Sequence, residues 1–121
     1  MGVVIKMAVI ESNTVTAKNK AGGKGEIYIT HLLTPAEMRG QCEMFAKVVI
    51  PPGASIGAHY HYGNSETYHI LQGKAKYNDN DKFFEVGAGQ TTFCGDNGMH
   101  GIENIGDEDL IFIALIIKNP A

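Results

Sequence analysis

The stretch from Gly53 to Gly73, GASIGAHYHYGNSETYHILQG, decides how the rest of the chain is read. His59 and His61 stand two apart, and on a strand such residues share a face, about 6.6–6.8 Å apart along the chain. That spacing suits two imidazoles converging on one ion. Gly63-Asn64 turns the chain, and Glu66 opens the next run, from which its carboxylate can return to the same face. One hairpin thus offers three ligand candidates. A His-x-His pair alone is weak evidence, since surface strands and expression tags carry it too; the longer gapped pattern around it gives it weight.

Working outward, turn residues punctuate the whole chain: Gly22-Gly23, Gly25, Pro51-Pro52-Gly53, Gly73, Asn78-Asp79-Asn80-Asp81, Gly87, Gly89, Gly95, Gly98 and Gly106-Asp107. Between them lie short runs rich in Val, Ile, Tyr, Phe and Thr, which is strand vocabulary at strand length. Strands are expected near 7–10, 26–32, 43–50, 56–61, 66–71, 74–77, 82–85, 91–93, 99–103 and 110–117, with 74–77 and 82–85 forming a hairpin over the Asn-Asp turn. Residues 11–25 are read as a loop or arm. The one helical signal is Thr34-Pro35-Ala36-Glu37-Met38, a capping box with proline at the first helical position and about one turn long. At 121 residues with 15 glycines and no tryptophan, a single all-β domain follows, a sandwich or small barrel whose closure hides its sheet edges.

Composition excludes several classes. The formal charge of −3 and a single arginine, Arg39, give no electrostatic footprint for nucleic acid. The longest apolar run, Leu110 to Ile117, has the length of a strand and falls far short of a membrane span. The N-terminus lacks the basic and apolar regions of a signal peptide. Cys42 and Cys94 form no disulfide framework and no Cys-x-x-Cys pair, so reduced thiols and a cytoplasmic protein are expected.

The gapped pattern now carries a resemblance. Gly53, five residues, His59, one residue, His61, four residues, Glu66, six residues, Gly73 resembles the first motif of the cupin superfamily without a mismatch. The second motif is matched by Gly89, His100 and Asn104 at their spacing, but Gly95 stands where the motif has proline and Asn97 where it has glycine. The resemblance is to single-domain cupins of the conserved-barrel type. It implies a double-stranded β-helix, or jelly roll, over 1–121, with an N-terminal strand and arm at 1–25 and a barrel at 26–118 that carries motif one at 53–73 and motif two at 89–104. It also implies one divalent metal ion inside the barrel, held by His59, His61, Glu66 and His100. Three imidazoles and one carboxylate suit Mn, Fe, Co, Ni, Cu or Zn better than Ca or Mg.

Other residues are placed by strand parity. Tyr68 and Ile70 share the parity of Glu66 and should line the interior, whereas His69 and Tyr60 should point away; His31 is read as an exposed or capping histidine. Tyr62, just past the strand, could close the mouth, and Phe93 and Cys94 border the second-motif turn. Tyr62 and Tyr68 are the available proton donors. Lacking an arginine clamp, the site should not take a phosphorylated or multiply anionic substrate unless the metal itself holds the anion. The expected function is that of a small-molecule metalloenzyme resembling the dioxygenases, decarboxylases and isomerases of the cupin families. A non-catalytic module holding a metal or small ligand is the alternative, since one fold hosts both. A homodimer is expected, with Val3 to Ile10 packing across the partner.

Overall fold

The computed structural model describes residues 8–120. Ten antiparallel strands form two sheets. The larger holds β1 (Asn13–Lys18), β2 (Glu26–His31), β3 (Cys42–Ile50), β10 (Leu110–Lys118), β5 (Asn64–Gln72) and β8 (Thr91–Cys94), in that order across the sheet. The smaller runs β4 (Ser55–Tyr60), β9 (Met99–Asn104), β6 (Lys74–Asp79) and β7 (Lys82–Gly87). Strands adjacent in sequence often sit in different sheets, so the chain winds between the layers as a double-stranded β-helix; β4 and β5, expected to form one hairpin, are instead split between the two sheets, β4 pairing with β9. No helix in the described residues is long and apolar enough to cross a membrane.

Local chemistry explains several elements. At the β6–β7 hairpin Asn80 and Asp81 both take positive φ, 51° and 69°, the backbone of a type I′ turn whose twist matches the flanking strands. The single helical turn α1 (Pro35–Met38) is fixed at its start by Glu37, whose carboxylate accepts from the Thr34 N–H at 2.8 Å and the Thr34 hydroxyl at 2.6 Å.

Two expectations at the N-terminus need correction. Residues 13–18, read as part of an arm, form β1, because Thr14, Val15 and Thr16 are β-branched and pair in register with Thr30, Ile29 and Tyr28 of β2. The Thr14 and Thr30 hydroxyls bond across the pair at 2.8 Å. The strand expected at 7–10 is absent over residues 8–10, and the rest of the Val3 to Ile10 segment lies outside the described residues.

The core lies between the sheets, with Ile27, Val48, Ile50, Ile70, Leu110 and Phe112 all buried. On the inner face of the larger sheet, side chains stack in cross-strand rows. One row holds Glu66, Ile116 and Met44, the next Tyr68, Ala114 and Ala46, and the third Ile70, Phe112, Val48 and Ile29. The third row is packed hydrocarbon, while the first carries a carboxylate. The polar site therefore sits toward one end of the barrel.

Candidate metal centre

Strand β4 delivers its histidines through a bulge. Ile56 pairs with Ile102 and His59 with His100, so Gly57 and Ala58 together stand opposite Gly101 and one residue is in excess. The extra residue reverses the side-chain alternation, so Ile56 and His59 both face inward despite opposite parity. Glycine is required there, because a Cβ on Gly57 would lie 2.0 Å from the Ala21 carbonyl oxygen of the adjoining 3-10 turn, Lys20–Gly22. The freed Gly57 carbonyl accepts a 2.8 Å hydrogen bond from His59 Nδ1–H.

His59, His61, Glu66 and His100 converge, each offering one ligand atom and all such atoms lying within 4.8 Å of one another. The group could hold a metal ion. Glu66 Oε1 lies 3.0 Å from Nε2 of both His61 and His100, and 3.7 Å from His59 Nε2, an ion-pair approach rather than a hydrogen bond. The Nε2 atoms of His61 and His100 face each other at 3.1 Å.

The outer nitrogens show which tautomers are present. Asn64 donates its Nδ2 to the Glu43 carboxylate at 3.0 Å, so its Oδ1 must be the atom 2.8 Å from His61 Nδ1, which therefore carries a proton. His100 Nδ1 meets the Tyr77 hydroxyl at 2.7 Å. With Nδ1 protonated on His59 and His61, their Nε2 atoms face the ionised carboxylate and offer lone pairs wherever the second ring proton is absent. Such a gathering of acceptors calls for positive charge at its centre, and outer hydrogen bonds of this kind are what orient histidines around a metal. The donor set fits a transition-metal ion.

Electrostatics agree with an ionised Glu66. Burial acts to raise its pKa, but contacts with His100 and His59 and the fields of His100 and His61 outweigh burial and bring it down to about 2. Burial lowers His100. It pulls the same way on His59, but there the Glu66 carboxylate and the Gly57 carbonyl prevail and the pKa is raised.

The altered second-motif turn is a clamp. His61 N–H donates to the Gly98 carbonyl at 2.9 Å, Asn97 N–H to the His61 carbonyl at 2.7 Å, and Gly63 N–H to Asp96 Oδ1 at 2.7 Å. Asp96 Oδ2 also accepts from Asn119 Nδ2 at 2.9 Å. Asn97 takes φ 67°, a conformation asparagine tolerates well. Asp96, Asn97 and Gly98 of the altered turn thus tie it to the β4–β5 turn directly beside a ligand candidate.

Tyr68 is buried, stacks on the His100 ring at 4.9 Å between centroids, and contacts Phe112. Burial and then the Glu66 charge raise its hydroxyl pKa well above the ordinary value. A chamber of about 400 Å³ adjoins the donors, lined by His59, His61, Glu66 and Tyr68 and by side chains of the larger sheet. Tyr62 is not among the lining residues; it is exposed and stacks on Tyr60 with ring centroids 5.8 Å apart. His69 points outward and pairs with the Thr91 hydroxyl at 2.9 Å, while His31 sits half-buried on β2 beside Ala46, away from the donors. Cys94 is buried opposite Glu66 across the β5–β8 pair, and Phe93 is exposed. Sequence reasoning did not find Asn64, Tyr77 or Asp96 as supports. Only Asp96 left a signal, as a polar residue inside the irregular turn.

A double-stranded β-helix with three histidines and one glutamate gathered at one end of its interior defines a class of metal-ready β-barrels. The particular family follows from comparison: the cupin domain model matches residues 46–116, and the chain belongs to that family. It is 39% identical over 116 residues to a Thermotoga maritima protein named oxalate-binding protein, covering 96% of this chain and 94% of the relative. The crystal structure described as a predicted oxalate decarboxylase from Thermotoga maritima superposes with a TM-score of 0.87 at 38% identity, over 97% of this chain and 100% of that one. The cupin domain of Schizosaccharomyces pombe Cnp3 shares the fold, with a TM-score of 0.72 at 17% identity over 87% of this chain and 69% of that one.

Proposed function

We propose that His59, His61, Glu66 and His100 bind one divalent transition metal ion (Mn, Fe, Co, Ni, Cu or Zn), and that the chain is a metalloenzyme acting on a small carboxylate. The supporting observation is the convergence of three Nε2 atoms on Glu66 Oε1, with the outer nitrogen of each ring already occupied by Gly57, Asn64 or Tyr77. Four protein donors leave open positions on a six-coordinate ion, which would supply Lewis acidity or oxygen activation. A carboxylate ligand is favoured by the names of the Thermotoga proteins.

In this scheme Glu66 and the histidines fix charge and position, and Tyr68 holds a proton. With its pKa pushed up, the Tyr68 hydroxyl stays neutral at physiological pH and can donate to an oxyanion beside the donors. Among the reactions open to cupins, decarboxylation suits a carboxylate best. A second reading, retention without turnover, is favoured by the name oxalate-binding protein. Metal content by mass spectrometry, then carbon dioxide release and oxygen uptake with oxalate, tests both. Turnover by the metal-loaded protein supports the enzyme; tight oxalate retention with no turnover under any of the six metals supports the binding module. A protein that takes up no metal when supplied with each in turn refutes both. Edge strands β1, β7 and β8 favour a homodimer, which light scattering at micromolar concentration checks; a monomer there would overturn it.

A further inference from the structure

The chamber offers far more apolar wall than a bare dicarboxylate can use. Its volume of about 400 Å³ falls among cavities of about 300–1,000 Å³ that enclose drug-sized ligands. Beyond the donors its walls are Ile29, Met44, Val48, Ile56, Ala114 and Ile116. The cross-strand rows explain the room. Ala114, between the rows of Ile116 and Phe112 on central strand β10, is fully buried, so the room lies over the row nearer the donors, where Met44 and Ile116 stay half-buried. Oxalate is carboxylate at both ends and has no hydrocarbon to set against six aliphatic side chains. Among the described residues the one lysine or arginine lining the chamber is Lys20, exposed on the 3-10 turn that packs against the β4 bulge. Its charge is felt at His59, so it stands near the donor end.

We propose, resting on the metal-binding reading above, that the chamber's ligand is an amphipathic 2-oxo carboxylate: a carboxylate with an adjacent oxo group at the donor end beside Lys20, and an aliphatic chain along the hydrocarbon wall. The head group follows from chelation. Replacing one carboxylate of oxalate by an acyl group keeps two oxygens on neighbouring carbons, the arrangement that suits two open positions on one ion, and adds the tail the wall requires. Lys20 is a specificity-determining residue in this assignment, neutralising the single carboxylate, while Met44 and Ile116 set how much of the tail is covered.

Isothermal titration of the full chain with straight-chain 2-oxo acids from pyruvate to 2-oxooctanoate, and with oxalate, tests this. In the metal-loaded protein each added methylene should tighten Kd about fourfold until the chamber is full, the effect of burying one CH₂. The same increment should persist in metal-free protein at lower overall affinity. Ile116→Thr, at a half-buried wall position, should shrink the gain for the longer acids while leaving metal content unchanged. Met44→Gln, at the neighbouring half-buried wall position, should shrink it likewise if Ile116→Thr fails to fold. Lys20→Met should weaken every acid by a similar factor, about fivefold at most for so exposed a charge, without changing the increment. Affinity that is flat or falling along the series, with oxalate tightest, overturns the proposal, as does binding of no acid by either form. Failure to load metal overturns the metal reading instead, and the methylene increment in metal-free protein still reports on the chamber.

Discussion

The donor cluster has two walls of different make. The short stretch from β4 to β5 contributes His59, His61 and Glu66, although the two strands lie in different sheets, and the His59 side chain keeps 25% of its surface exposed. Strand β9 contributes only His100, which is 0% exposed and is held between the Tyr68 ring and the Tyr77 hydroxyl. One wall is built by local sequence and opens toward the chamber; the other is built by long-range packing and is sealed. The local wall supplies three of the four donors, and the packed wall supplies the fourth, held in place by its surroundings.

Removing the sealed donor should do most damage. His100→Ala is expected to cost well over 100-fold in metal affinity, beyond the roughly 10–100-fold typical of losing a supporting partner, and to lower stability by leaving a cavity against Tyr68. His59→Ala should weaken metal binding comparably but lower the thermal midpoint much less; equal midpoints for the two variants would erase the distinction between the walls. Next come the supports. Tyr77→Phe and Asn64→Ala should each reduce metal affinity about 10–100-fold, measured by chelator competition, with Tyr77→Phe the larger because its partner is wholly buried.

Acid sharpens the same contrast. The folded-state pKa of Glu66 lies near 2, below its ordinary value of 4.5, so its stabilising contribution is complete above 4.5 and is lost as pH falls toward 2. Denaturant titrations of metal-free protein should show a decline across that window which Glu66→Gln lacks. His59 is shifted the other way, above 6.5. Protons should therefore compete with metal at this residue first, and affinity should begin to fall while the pH is still above 6.5. The smallest effect is expected at the clamp: Asp96→Ala gives up two accepted hydrogen bonds. It should cost about 1–2 kcal/mol, seen as a drop of several degrees in melting temperature, with metal affinity changed less than tenfold.

Much of this was legible in the sequence. The donor quartet was marked by the two cupin motifs, but the hairpin expected for its first three members is not formed, since β4 pairs with β9 while β5 pairs with β10 and β8 in the other sheet. The bulge could not be read, since Ile56 and His59 have opposite parity and nothing in Gly57-Ala58 says which residue is in excess; the close approach of Ala21 decides it. Strand β1 was hidden because its residues are mostly exposed and polar, and its pairing with β2 is a tertiary event. Tyr77 was unreadable for a similar reason. Only the β6–β9 register, which brings Tyr77 opposite Ile102, carries its hydroxyl to His100.

Chain order gives the divided cluster a consequence for assembly. His100 follows Glu66 by 34 positions, so during synthesis the segment with three donors emerges before the fourth exists and before β4 has its sheet partner β9. An ion met at that stage would find an open nest in water, and the docking of β9 would then complete the ligand set and dry it in one event. In the finished barrel that order is locked in. An ion can leave past half-exposed His59 without disturbing the core, whereas leaving on the His100 side means undocking a strand. Exchange kinetics should therefore be governed by the chamber, and a ligand seated there would slow the loss of the ion beneath it.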